Sequence, residues 1–403
     1  MTSNTYSIVA SNYRTSYGKL FSALINQFGV NNINEIEDAI QNSFLKSLKS
    51  WNPNRIPNNK ENWLYIVARN DVINQIKKKN KATSDFIVTK IEENETVKND
   101  LRLQTILFIS AAKSVSTQAK VIFILKNIFG LHIREIGEST LLHQDAIYKS
   151  IKRAKKSLQI EFKDQQIDLI LKEVTYNEIS IVEEILYAVF NIGFDSFNEK
   201  IKSIVNEDLC LEALSIIKLL FNEYKQDSTR NLLALFCFHI ARIPAKVDNG
   251  KLISFFQQDK SIWNKELIDL GFYYLQKPKR LDKFHIEALI ISKYITTSSY
   301  NNEHWNDIIT LYEMLIQYTN SPIVKLNFCY CLHKAQRTNE ALNLLENIRN
   351  ELPKEHVYFS LVKANILKEI NPEKSDKIMS DIVNKMNHTI RKEYLFENIY
   401  INF

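Results

Sequence analysis

The sequence predicts an all-α protein, and three observations carry that expectation. Apolar residues recur at helical spacing through most of the 403-residue chain. Strand-type alternation between turn clusters is hard to find. Glycine and proline number only 7 each, too few to punctuate a sheet protein of this length. At 45% hydrophobic and 24% charged, the chain is globular and long enough for about two or three cores.

Residues 8–81 read as the first helical unit. In EIEDAIQNSFLKSLKSW (Glu35–Trp51), Ile36, Ile40, Phe44, Leu45 and Leu48 are expected to face inward. The Pro- and Asn-rich stretch Asn52–Asn62 follows as a loop. The helix WLYIVARNDVINQIKKKNK (Trp63–Lys81) then turns Leu64, Val67, Ile73 and Ile76 inward and ends in a basic cluster. Residues 82–100 are polar and read as a linker.

Residues 101–162 form the second unit. Its segment His132–Leu158 reads as two short helices joined by a tight turn. In the second helix Ile147, Ile151, Ala154 and Leu158 fall at i, i+4, i+7 and i+11, one buried stripe. Asp145, Lys149, Lys152, Arg153 and Lys156 occupy the opposite side, and Ile133 and Ile136 of the shorter helix turn inward. That is the shape of a DNA-reading helix-turn-helix. An ordinary solvated surface helix has the same pattern, so the segment alone leaves both readings open.

From residue 165 to 403 the chain is a series of amphipathic helices. Ser321–Ile348 and His356–Ile382 align at an offset of about 35 residues, Leu332 with Leu367, near the ~34-residue tetratricopeptide period. A concave partner-binding solenoid and a plain helical bundle both fit.

Charge divides the chain. Residues 1–164 hold 24 Lys and Arg against 15 Asp and Glu, net +9; the remainder holds 28 against 31, net −3. Polyanion contact is therefore expected in the front part. Helix Trp63–Lys81 brings together an aromatic (Trp63), amides (Asn70, Asn74) and cations (Arg69, Lys77, Lys78, Lys79, Lys81). Aromatics stack on bases, amides read base edges and lysines meet phosphates.

Enzymatic chemistry finds little support. Neither GxGxxG nor GxxxxGK[ST] occurs. In Cys329-Tyr-Cys331-Leu-His333, helix neighbours two apart point roughly 200° from each other, so the three cannot converge on a metal. These residues, with Cys210, Cys237 and His239, are expected in the core. Glu183 and Glu184 read as a helix N-terminal charge pair. No nucleophile–base–orienter set stands out, and no enzyme activity, cofactor or metal is expected. No apolar run approaches membrane-spanning length, and MTSNTYSIVASNYR lacks the basic start and apolar core of a signal peptide. The expected compartment is the cytoplasm, without membrane association.

Two segments, EDAIQNSFLKSLKSW and NWLYIVARNDVINQIKKK, resemble region two of bacterial RNA polymerase sigma factors of the extracytoplasmic-function type. Ser114–Ile160 resembles their region four, and no region three intervenes. Glu183–Ser196, Asn206–Leu220, Gln257–Leu275 and Ser321–Leu332 are similar to the C-terminal extension of a subgroup with a tetratricopeptide-like domain.

The resemblance implies region two at 8–81, region four at 101–162 and a helical extension at 165–403. Core RNA polymerase and promoter DNA are the implied partners, and the extension would receive a protein partner or fold back on the sigma module. By position, Asp38, Gln41, Asn42 and Phe44 would dock on the polymerase. Trp63, Arg69, Asn70, Asn74, Lys77 and Lys78 would hold the minus-ten strand, with Asn70 at the pocket for a flipped base. Arg134, Gln144, Lys149, Lys152, Arg153 and Lys156 would meet the minus-35 element. The reading helix carries more Lys and fewer Arg than many relatives. Lys lacks the planar fork that reads guanine, so phosphate contact is favoured over base readout. A stand-alone helix-turn-helix regulator and a helical-repeat scaffold are the competing readings.

Overall fold

The structure, a computed structural model, describes residues 3–51, 56–80, 100–140, 142–163, 165, 174–195, 204–249, 251–253, 255–352 and 356–385. It is predominantly α-helical, and the one β pairing described joins Val247–Asp248 to Lys251–Leu252. Two compact units divide the chain, residues 1–189 and 190–403. Among the described residues no helix is long and apolar enough to cross a membrane.

The first unit contains α1 (Ser3–Phe28), α2 (Ile33–Ser50), α3 (Lys60–Asn80), α4 (Arg102–Ala111), α5 (Thr117–Asn127), α6 (Ile133–Thr140) and α7 (Gln144–Glu161). Helix α2 packs on α1 and α3, and α7 on α5 and α6. Tyr17, Leu20, Phe21, Leu24 and Ile25 give α1 a wholly buried face, which meets α4 and α5 as well as α2 and α3. Both segments expected as separate modules thus share one unit. The expected linker, Asp100 apart, lies outside the described residues.

Helix α8 (Tyr176–Phe194) spans the division. Glu183 lies two turns into it and is buried, which corrects the expected N-terminal charge pair. The second unit continues through α9 (Glu207–Tyr224), α10 (Asp227–Ala241), α11 (Ile243–Lys246), α12 (Lys265–Tyr274), α13 (Lys283–Thr296) and α14 (Asn302–Tyr318). Helix α10 is buried almost all round, because Leu232–Phe238 offers no polar side, and it packs on α9, α12 and α13. Asn206, Asn264 and Asn301 cap α9, α12 and α14, each side-chain oxygen accepting an orphan backbone N–H. Such caps contribute about 1 kcal/mol each.

The chain closes with α15 (Pro322–Lys334), α16 (Thr338–Ile348), α17 (Val357–Leu367) and α18 (Pro372–Lys385). These form two helical hairpins, and the second begins 35 residues after the first (322 to 357). The aligned Leu332 and Leu367 are both buried. Cys329, Cys331 and His333 lie inside α15, and burial pushes both thiols up to about 12. Cys210 and Cys237 are buried too.

Candidate nucleic-acid interface

Helix α6 starts where Glu135 reaches back to accept the His132 amide at 2.8 Å, half of a capping box. Gly137 lets the following turn pass close: a Cβ there would sit 3.0 Å from the Leu142 carbonyl oxygen. Helix α7 then buries Ile147, Ile151, Ala154 and Leu158, as its spacing predicts. Gln144, Lys149, Lys152, Arg153 and Lys156 are all exposed, and so is Arg134 on α6. Sequence reasoning missed Tyr148, which is 58% exposed on the same helix and adds an aromatic surface among the cations. Its signal was present: position 148 directly follows the stripe residue Ile147 and falls between stripe positions.

Helix α3 is rotated from its expected setting. Leu64, Tyr65, Ala68 and Val72 are buried, whereas Val67, Ile73 and Ile76 are half-buried and Ile66 is exposed. Helix α3 packs on α2 with Ala68 wholly buried. Asn70, Asn74, Lys77 and Lys78 consequently share the solvent side. Arg69 is half-buried, with its Nε shielded and without an acceptor. Trp63 packs edge-on to buried Trp51 at 5.4 Å, so one of its faces belongs to the fold. Lys79 pairs with Glu35 of α2 at 2.6 Å. Residues 52–55 of the expected loop and Lys81 lie outside the described residues.

On α2, Asp38 and Gln41 are exposed. Asn42 donates to Asp71 of α3 at 2.8 Å, which bonds the two helices. Phe44 is buried against Tyr13, ring centroids 4.8 Å apart, and is a core residue rather than an anchor. Leu45, expected inside, is 57% exposed. With Asp38 and Gln41 it lies at i, i+3 and i+7, one face. The apolar group α2 offers outward is therefore Leu45.

These two surfaces belong to one interlocked body. Arg14 of α1 donates to Glu135 of α6 at 2.6 Å, and Tyr13 stacks on His132 at 6.4 Å. Gly18 lies so close to the end of α5 that a Cβ would fall 1.7 Å from the Ile128 carbonyl oxygen. Gly130, in the left-handed region at φ 62°, turns the chain from α5 to α6 beside the Arg14 backbone. Lys155 of α7 bonds Glu37 of α2, and Gln159 donates to the Asn31 carbonyl at 3.2 Å. Burial would raise the Glu135 carboxyl, but Arg14 and the His132 amide outweigh it and hold it below the ordinary range. At Glu37 burial wins over Lys155, and that carboxyl is raised.

Among the described residues no group of His, Cys, Asp and Glu is placed to hold a metal ion. Residues 178–279 match the model described as "Family of unknown function (DUF6596)". The chain is 24% identical over 361 residues to "Uncharacterized protein R00370" of Rhizobium meliloti (strain 1021), a match covering 84% of this chain and 83% of that protein. No solved structure matches.

Proposed function

We propose that this protein is a cytoplasmic sigma factor: it joins core RNA polymerase, directs it to promoters through α7 and α3, and helps open the duplex. The observation that carries the reading is α7, whose apolar stripe is buried while Gln144, Tyr148, Lys149, Lys152, Arg153 and Lys156 stay outside. A helix held this way by a short preceding helix presents its outer face to a major groove. Asn70, Asn74, Lys77 and Lys78 on α3 supply a second contact, suited to an unpaired strand and its phosphates. Asp38, Gln41 and Leu45 on α2 form the polymerase-facing surface, a small apolar anchor ringed by polar groups. The chain works without cofactor or catalytic group, and the extension from about residue 165 regulates it or receives a partner.

Run-off transcription with purified core polymerase and genomic DNA fragments tests the reading. Defined transcripts are expected only when both the chain and the core enzyme are present. Sequence-specific duplex binding by the chain alone, with no effect on core polymerase, would replace this reading with that of a stand-alone regulator.

A further inference from the structure

The second unit buries a positive charge that no described carboxylate answers. Arg242, between α10 and α11, is 5% exposed. Its Nε donates to Gln258 at 3.3 Å, and Gln258 is itself buried. The guanidinium lies 3.8 Å from the Phe255 ring centroid and 5.9 Å from those of Phe194 and Trp263. Among the described residues no Asp or Glu forms an ion pair with it; the neighbouring pair is Lys246 with Asp195 at 3.6 Å. Burial pulls Arg242 down to about 9, which leaves it charged at neutral pH.

Two further groups meet the same aromatic wall. Lys246 sits over the same Phe194 ring at 3.7 Å, so two cations share one aromatic wall. His239 packs on that ring at 4.9 Å. Burial, with Arg242 and Lys246, holds His239 well below its ordinary value, and its shielded Nδ1 has no partner. Trp263 is 4% exposed and its indole N–H is buried without an acceptor. The C-terminal end of α10 supplies a partial negative charge, and the rings add cation–π contact. Neither equals the hydration a full charge gives up on burial. Buried guanidinium groups normally meet an anion.

We propose that Arg242, Gln258 and Trp263 form a binding site for a small carboxylate-bearing molecule, whose apolar body lies against the Phe255 and Trp263 rings. The planar guanidinium fork matches a carboxylate in two parallel bonds. The indole N–H of Trp263, whose ring centroid lies 5.9 Å from the guanidinium, is a second donor without an acceptor of its own. One carboxylate cancels one charge, whereas a phosphate dianion would need more donors than these residues offer. The site lies within the second unit and does not depend on promoter reading.

Thermal unfolding and titration calorimetry of the full chain test the proposal. The probes are sodium benzoate, sodium acetate and sodium phosphate, with ionic strength held constant by NaCl. Benzoate should raise Tm saturably, by roughly 5–10 °C at a hundredfold excess over Kd, with acetate weaker and phosphate inert. Arg242→Met should lose the response, yet unfold at or above the wild-type temperature without ligand, because an unanswered buried charge has been removed. Trp263→Phe, which keeps the ring and loses the N–H, should weaken binding about tenfold. No saturable response to either carboxylate would overturn the site. So would an Arg242→Met chain that is less stable but still responds, which would make Arg242 structural. Tighter binding of phosphate than of benzoate would overturn the ligand class.

Discussion

Arg14 and Glu135, 121 positions apart in sequence, form a 2.6 Å ion pair that ties α1 to α6. Glu135 also caps α6 through the His132 amide, so one carboxylate closes a helix and joins two segments. Its carboxyl is held below the unfolded value near 4.5. This contribution is therefore complete above that value and is lost as pH falls through the lower folded one. Glu37 has the opposite sign: its raised carboxyl costs stability as pH climbs from about 4.5 to the folded value. Urea titrations of the chain at neutral pH should show Glu135→Gln losing roughly 2–4 kcal/mol. Glu37→Gln should be neutral or stabilising. Equal losses in both variants would contradict the assignment.

Gly18 fixes how closely α1 can approach the end of α5. A methyl group there cannot coexist with the Ile128 carbonyl at 1.7 Å, so Gly18→Ala must push backbone apart. A loss of about 2–3 kcal/mol is expected from that displacement. Amides of α1 should exchange faster with solvent deuterium than those of α2, and an unchanged exchange map would count against the interlock.

On the proposed reading the first unit must open when it acts. Elements centred about 25 base pairs apart are separated by roughly 85 Å of B-form DNA. A compact body of 189 residues is about 40 Å across. The pairs Arg14–Glu135 and Lys155–Glu37 are then contacts that core polymerase must break. Fluorophores on Lys46→Cys and Lys149→Cys, both exposed, would report this, since the native thiols are buried. Energy transfer should fall when core polymerase is added. Unchanged transfer in a transcribing complex would contradict opening.

The outward face of α2 gives a sharper test of the proposed polymerase docking. Leu45→Glu should change stability by less than about 0.5 kcal/mol and abolish co-elution with core polymerase. Phe44→Ala should instead cost about 3–5 kcal/mol, because that ring packs on Tyr13. Co-elution undiminished by Leu45→Glu would move the docking surface elsewhere.

The proposed DNA contacts separate by kind. Asn70→Ala should lower transcription roughly tenfold, without altering binding of the upstream duplex. Lys152→Ala should weaken duplex binding uniformly across sequences and reduce the salt slope by about 0.9. A change in promoter preference with Lys152→Ala would show that this lysine reads bases.

Much of this was legible in the residues. The α7 stripe of Ile147, Ile151, Ala154 and Leu158 could be read from spacing alone, and its cations then had to face outward. The tail hairpins were legible for the same reason: a repeated apolar period fixes helix lengths and turns locally. Periodicity did less well on α2 and α3, where more apolar residues were available than one face holds. Leu45 and Phe44 are adjacent, and only Tyr13 of α1 decides that Phe44 goes in and Leu45 goes out. On α3, Ala68 was too small to be read as core, yet it is wholly buried. The ion pairs and the Arg242 cluster could not be read at all. Whether Arg14 meets Glu135, or Arg242 meets no described carboxylate, depends on which distant helices share a surface. The sequence by itself determined the helices, their apolar stripes and the basic faces, all set within a few residues by side-chain period. Only the tertiary structure decided which charges are answered and which are left alone, because Coulomb energy and desolvation depend on separation in space.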